Sequence, residues 1–163
     1  MAVEPSLALS CGVPMEPFAD RLILRQRALG HPLCVGLDPH LERIPAPFRR
    51  GTMNPAAPDT SAAVGDFLAA VIERLDGRVA AIKPQIALFE QLGWRGLKVL
   101  AELLDDCRRR DLSVVLDAKR GDIGSTAEAY AQAYLAGEDH SAAPFAADAL
   151  TVNPYLGPDT LQP

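Results

Sequence analysis

Cysteine and histidine are scarce, with three of each in 163 residues. Cys11, Cys34 and Cys107 are widely spaced and form no Cys-x-x-Cys pair, which argues against a disulfide framework or a thiolate zinc site. His31, His40 and His140 are as scattered, so no histidine-based metal site is expected. All six read as structural or surface residues. No Gly-x-Gly-x-x-Gly and no Walker loop follows any apolar run, and nucleotide-cofactor folds lose weight accordingly. Nor is any apolar run long enough to span a bilayer. The opening residues Met1-Ala2-Val3-Glu4-Pro5 lack the basic start and apolar stretch of a signal peptide. A cytoplasmic protein is the expectation. A basic surplus is missing too. Sixteen Lys and Arg against 21 Asp and Glu leave a net charge of -5, which disfavours non-specific binding to nucleic acid. A local basic pocket for a small phosphorylated molecule stays open. What is there is a folded-domain composition, 48% hydrophobic and 23% charged, so disorder is not expected.

Along the chain, short apolar runs alternate with helical patterns. Residues 1–17 read as a flexible lead-in. Phe18 to Leu29 carries apolar residues near helical spacing, and Gly30 stops that helix. Pro32 to Asp38 reads as a buried parallel strand ending in an acid. Residues 39–59 read as a long loop, a length that often carries function. Thr60 or Ser61 is the expected cap of a helix with Val64, Phe67, Leu68, Val71, Ile72 and Leu75 on its apolar face. Val79 to Pro84 is a second strand, followed by helical segments from about Ala87 and from Trp94 to Arg110. Arg108-Arg109-Arg110 suits a solvated helix C-terminus. Leu112 to Lys119 is a third strand, Ser125 or Thr126 starts the next helix, and Ala149 to Pro154 is a fourth strand. Alternating strands and helices, each strand apolar and ending in a polar group, point to parallel βα units with the polar groups at the C-terminal mouth. A doubly wound sheet fits the alternation as well.

The chemistry gathers at those strand ends. Asp117 and Lys119 are two apart and share one strand face, and Asp122 follows after Gly121. Lys83 ends the second strand and Asp38 the first. Such charges enter an apolar mouth at low cost only if they alternate in sign and pair. Taken singly, each has a bland reading as a surface ion pair, a cap or a solubilising charge. Five at successive strand ends make a rarer coincidence.

Asp117-Ala118-Lys119-Arg120-Gly121-Asp122-Ile123-Gly124-Ser125-Thr126 resembles the signature of orotidine 5'-phosphate decarboxylases, above all the longer bacterial branch. Val35-Gly36-Leu37-Asp38-Pro39, Lys83-Pro84-Gln85-Ile86-Ala87-Leu88-Phe89-Glu90 and Thr151-Val152-Asn153-Pro154-Tyr155-Leu156-Gly157 agree with it, in family order. The resemblance implies a (β/α)8 barrel that converts orotidine 5'-monophosphate to UMP in pyrimidine biosynthesis without metal or organic cofactor. It implies that Lys119 donates the proton, that Asp117 lies near the departing carboxylate and holds Lys119, and that Lys83 bridges the aspartates and touches the ribose. It further implies that Asp38 binds a ribose hydroxyl and that Asp122 and Thr126 reach the other subunit's site in a homodimer. Asn153 is a candidate pocket residue, with a turn-stabilising role as its equal.

A closed barrel takes about 250 residues, so residues 18–163 are expected to supply its first four βα units. The family's phosphate-gripping groups are expected beyond them, and these 163 residues alone are expected to be inactive. Two other readings stay in view. One is a magnesium-dependent phosphosugar decarboxylase of the same superfamily, for which Glu90 is the nearest extra ligand. The other is a non-catalytic dimerisation segment.

Overall fold

The computed structural model describes residues 17–135 and 142–162. The lead-in before Pro17, together with Cys11 and His140, lies outside the described residues. Four short strands form where the apolar runs predict them: β1 (Cys34–Leu37), β2 (Ala81–Pro84), β3 (Val115–Arg120) and β4 (Ala149–Val152). β1 and β2 pair in parallel from Cys34 opposite Ala81 to Leu37 opposite Pro84. β3 and β4 pair in parallel from Val115 opposite Ala149. Parallel bridges between Ile82 and Val114 and between Gln85 and Asp117 join the two pairs. The spatial order is therefore 1-2-3-4, with helices in every crossover. That is the architecture of half a (β/α)8 barrel rather than of a doubly wound sheet, in which the order reverses.

The helices explain why the strands are so apolar. α2 (Pro58–Leu75) and α4 (Gly93–Arg109) pack against one another and cover the sheet. α2 buries Val64, Leu68 and Ile72. α4 buries Leu100, Leu103, Leu104 and Cys107 and leaves its Asp and Arg residues outside. Between them in the chain comes the short helix α3 (Ala87–Glu90), which packs on α4 and whose Phe89 is fully buried. The α3–α4 corner is tight enough that a Cβ at Gly96 would meet the Phe89 carbonyl oxygen at 2.0 Å. Burial pushes the Cys107 thiol up to about 12, consistent with an inert core residue. Arg108, Arg109 and Arg110 pair with Asp105, Asp106 and Asp76, as a solvated helix end should.

Two helix starts differ from the sequence reading. α2 begins at Pro58, with Ala57 in the cap position. Proline has no N–H to satisfy and its fixed φ suits the first helical residue, so Thr60 and Ser61 fall inside the first turn. There Ser61 donates to the Pro58 carbonyl at 2.8 Å. α5 (Gly124–Tyr134) likewise starts before Ser125 and Thr126, because Gly124 at φ 52 turns the chain one residue early. Pro17 caps α1 (Phe18–Leu29) and accepts from the Asp20 and Arg21 amides.

α1 buries no residue and is held by arginines instead. Arg21 pairs with Asp148 just before β4, and Arg25 donates to the Val79 carbonyl at 3.1 Å just before β2. α1 therefore lies against the N-terminal ends of the strands and leaves the charged C-terminal mouth open. The 39–57 loop is packed rather than loose. Ile44 and Met53 are buried, and Phe48 meets Phe67 of α2 edge-on at 5.4 Å.

Candidate active site

The site is built on an irregularity in β3. Leu116 faces Leu150 and Arg120 faces Val152, so β3 uses four steps where β4 uses two. The surplus is a bulge, a device that re-aims side chains at a strand end. Within it Lys119 adopts φ 50, a left-handed conformation that costs a side-chain-bearing residue about 1 kcal/mol. Two cross-strand bonds hold it there. The Lys119 amide donates to Thr151 Oγ1 at 3.0 Å, and the Asn153 amide donates to the Arg120 carbonyl at 2.7 Å. The strands close so tightly behind the bulge that a Cβ on Gly121 would sit 2.8 Å from the Asn153 carbonyl oxygen.

Asp117 is the hub. The residue is 9% exposed, and its carboxylate accepts from four side chains. Lys83 Nζ at 2.9 Å and Gln85 Nε2 at 3.0 Å reach Oδ2. Lys119 Nζ at 2.5 Å and Thr151 Oγ1 at 2.9 Å reach Oδ1. A carboxylate with two oxygens can accept about this many bonds, so the charge is fully committed. The Lys119 ammonium, then the Lys83 ammonium and the Thr151 hydroxyl hold the Asp117 carboxyl well below the usual carboxylate range, against the opposing effect of burial. The bond to Asp117 raises Lys83 above the ordinary lysine value, and the Asp38 charge adds to this. The lysines keep their outer faces free. The Lys119 side chain is 63% exposed and that of Lys83 36%.

None of the other expected residues is bonded to Asp117 among the described residues. Asp38 is exposed at the end of β1, its carboxylate about 3.7 Å from where a Cβ on Gly36 would lie. Among the described residues, the one hydrogen bond of the Asp122 carboxylate is from the neighbouring Ile123 amide at 2.8 Å. Thr126 is exposed in the first turn of α5. Asn153 accepts from the Tyr155 amide at 3.1 Å and caps a short turn, so the turn-stabilising contact is the one formed.

Three residues outside the sequence-derived set belong to the arrangement. Gln85 and Thr151 are bonded to Asp117, and each is the polar residue at or near the end of an apolar run. Arg120 is the third. It donates to Glu90 at 2.7 Å and to the Tyr134 hydroxyl at 3.2 Å, and lies over the Tyr130 ring at 5.5 Å. Glu90 is thus the partner of Arg120. Among the described residues no group of three His, Cys, Asp or Glu side chains is placed to hold a metal ion.

Comparison with known proteins follows the same line. The family model for the orotidine 5'-phosphate decarboxylase / HUMPS family matches residues 31–163. The chain is 43% identical to the Rhodopirellula baltica orotidine 5'-phosphate decarboxylase over 149 residues, 91% of this chain and 49% of that protein. It is 44% identical to the Streptomyces coelicolor orotidine 5'-phosphate decarboxylase over 151 residues, with the same two coverages. Among solved structures, Leishmania donovani OMP decarboxylase is 36% identical with a TM-score of 0.64, covering 90% of this chain and 48% of that one. The chain spans about half the length of the curated relatives it matches.

Proposed function

Because this chain belongs to the orotidine 5'-phosphate decarboxylase / HUMPS family, we propose that its strand-end array carries out decarboxylation of orotidine 5'-monophosphate to UMP. One observation carries the reading: a buried carboxylate, Asp117, held between two lysine ammoniums whose outer faces remain open. The reaction needs such an array. When the bond from C6 to the carboxylate breaks, the electron pair stays in an in-plane orbital that the pyrimidine ring cannot delocalise. Fixed charge and a positioned proton donor must supply the stabilisation.

Lys119 is the donor in this reading. An ammonium has three protons, and its bond to Asp117 engages one of them. Another points to C6, stabilises the developing carbanion and passes to it as carbon dioxide leaves. The neutral amine then takes a proton back from water. Asp117 places negative charge near the departing carboxylate and, because both its oxygens are already bonded, chiefly orients the two lysines. Lys83 adds a second positive charge and reaches the ribose. Asp38 accepts from a ribose hydroxyl, and Asn153 lines the edge of the pocket while holding its turn.

The working form in this proposal is a homodimer in which Asp122 and Thr126 serve the neighbouring subunit's site. Thr126 is exposed and Asp122 half-buried, and neither is bonded to Asp117 among the described residues, which supports that role. Two free cysteines among the described residues, Cys34 and Cys107, suit a reducing cytoplasmic setting. No helix among the described residues is long and apolar enough to cross a membrane.

The test is a chimera in which residues 1–163 precede the C-terminal half of the Streptomyces coelicolor relative. Loss of the substrate's ultraviolet absorbance is followed after gel filtration confirms a folded species. Turnover that disappears with Lys119→Ala supports the proposal. A folded chimera that leaves the substrate intact counts against it.

A further inference from the structure

The Thr151 hydroxyl links the two ends of Lys119, the backbone amide directly and the ammonium through Asp117. It accepts from the Lys119 backbone amide at 3.0 Å. It donates to Asp117 Oδ1 at 2.9 Å, the same oxygen that the Lys119 ammonium reaches at 2.5 Å. The result is a closed loop: Lys119 amide, Thr151 hydroxyl, Asp117 oxygen, Lys119 ammonium and back along the lysine side chain. We infer that Thr151 is a positioning residue, its hydroxyl locking the left-handed Lys119 backbone to the carboxylate that aims the Lys119 ammonium. The inference rests on the proposed role of Lys119 and deepens it.

The chemistry selects a hydroxyl at this position. A hydroxyl can donate once and accept at the same time. An amide side chain could offer both functions only from separate atoms, and valine offers neither. The bulge supplies the reason such a lock is needed. Lys119 sits at φ 50, and its amide points away from the regular ladder, since β3 and β4 resume pairing only at Arg120 opposite Val152. Without the hydroxyl, that amide loses its bond and Asp117 Oδ1 loses one of its two donors. The backbone is then free to relax toward ordinary φ, which swings the ammonium away from its place. The partly buried setting of Thr151 strengthens the bond relative to one in water.

The test uses the chain itself and needs no turnover, so its failure is distinct from failure of the decarboxylase reading. Hydrogen exchange of assigned amides and the carboxyl carbon shift of Asp117 are measured by NMR in wild type, Thr151→Val, Thr151→Ala and Thr151→Ser. Thr151→Val should speed exchange of the Lys119 amide about tenfold, the equivalent of one ordinary hydrogen bond, and move the Asp117 carbon shift. The Leu116 and Ile82 amides should hold their rates, and Thr151→Ser should restore both readouts. Thr151→Ala should repeat the valine result and decides the matter should valine prevent folding. Wild-type exchange at Lys119 in the valine or alanine chain would overturn the inference. So would failure of serine to restore it, or equal acceleration at Leu116 and Ile82.

Discussion

The centre and the rim of the candidate site are built on opposite plans. At the centre, on β2, β3 and β4, one carboxylate takes four hydrogen bonds from four residues, and a lysine is held in a left-handed turn by the adjacent strand. At the rim, Asp38 at the end of β1 and Asp122 after β3 carry the same chemical group with almost nothing bonded to it. Internal hydrogen bonds fix the centre before any substrate arrives, the arrangement a reaction without an electron sink requires. In the proposed function the rim is left for groups supplied from outside: a ribose at Asp38 and a neighbouring subunit at Asp122. Substitutions should therefore affect stability and chemistry together at the centre, and chemistry alone at the rim.

The largest effect is expected at Lys119. In the chimera, Lys119→Ala should lower kcat about 1000-fold or more, the range of a lost proton donor in a charged site, while the chain stays folded. Lys119→Gly should be equally inactive but about 1 kcal/mol more stable than the alanine chain, because glycine accepts the left-handed backbone without strain. Denaturant titration of the pair checks the second half.

Asp117→Ala comes next. It leaves two ammoniums facing an emptied, largely buried position and should cost about 1–3 kcal/mol of stability as well as activity. Gly121→Ala should cost a similar amount, because its methyl would meet the Asn153 carbonyl at 2.8 Å and force β3 and β4 apart. Unfolding midpoints measure both.

The smallest stability effect belongs to the rim. Asp38→Asn and Asp122→Asn should leave the unfolding free energy within about 0.5 kcal/mol of wild type, yet each should reduce turnover. The proposed sharing of sites between subunits sharpens this further. Mixing inactive Lys119→Ala and Asp122→Ala chimeras should restore activity, since a mixed dimer has one intact site. No recovery despite proven subunit exchange would place Asp122 outside the neighbour's chemistry. A destabilised Asp38 or Asp122 variant would break the contrast itself.

How far this was legible in the sequence follows the same division. Strand ends can be read because each apolar run terminates in a charge or polar group, as at Lys83, Asp117 and Lys119. The donors Gln85 and Thr151 could not, because their role depends on strand order and register: Gln85 bridges to Asp117 only once β2 adjoins β3. Nor does any residue type announce a left-handed lysine; the nearest signal is Gly121, two residues on. Arg120 was hidden in the signature, since its partners Glu90 and Tyr134 lie in separate helices. The starts of α2 and α5 fall ahead of their hydroxyl residues because the backbone preferences of Pro58 and Gly124 decide the turn.

The central claim is that Asp117 is locked ionised by its lysines. Its folded value lies below the unfolded one near 3.8, so the stabilisation is present above that value and is lost only as pH falls through the lower folded one. Lys83 is raised above 10.5, so its share is present below that pH and is lost only as pH rises past the higher folded value. The pair should be intact throughout the interval between. The direct measurement is the carboxyl carbon shift of Asp117 followed by NMR from neutral pH into acid. The account predicts a flat curve through the ordinary carboxylate range, with protonation only below it or on unfolding. A midpoint near 4 in the folded chain would contradict it.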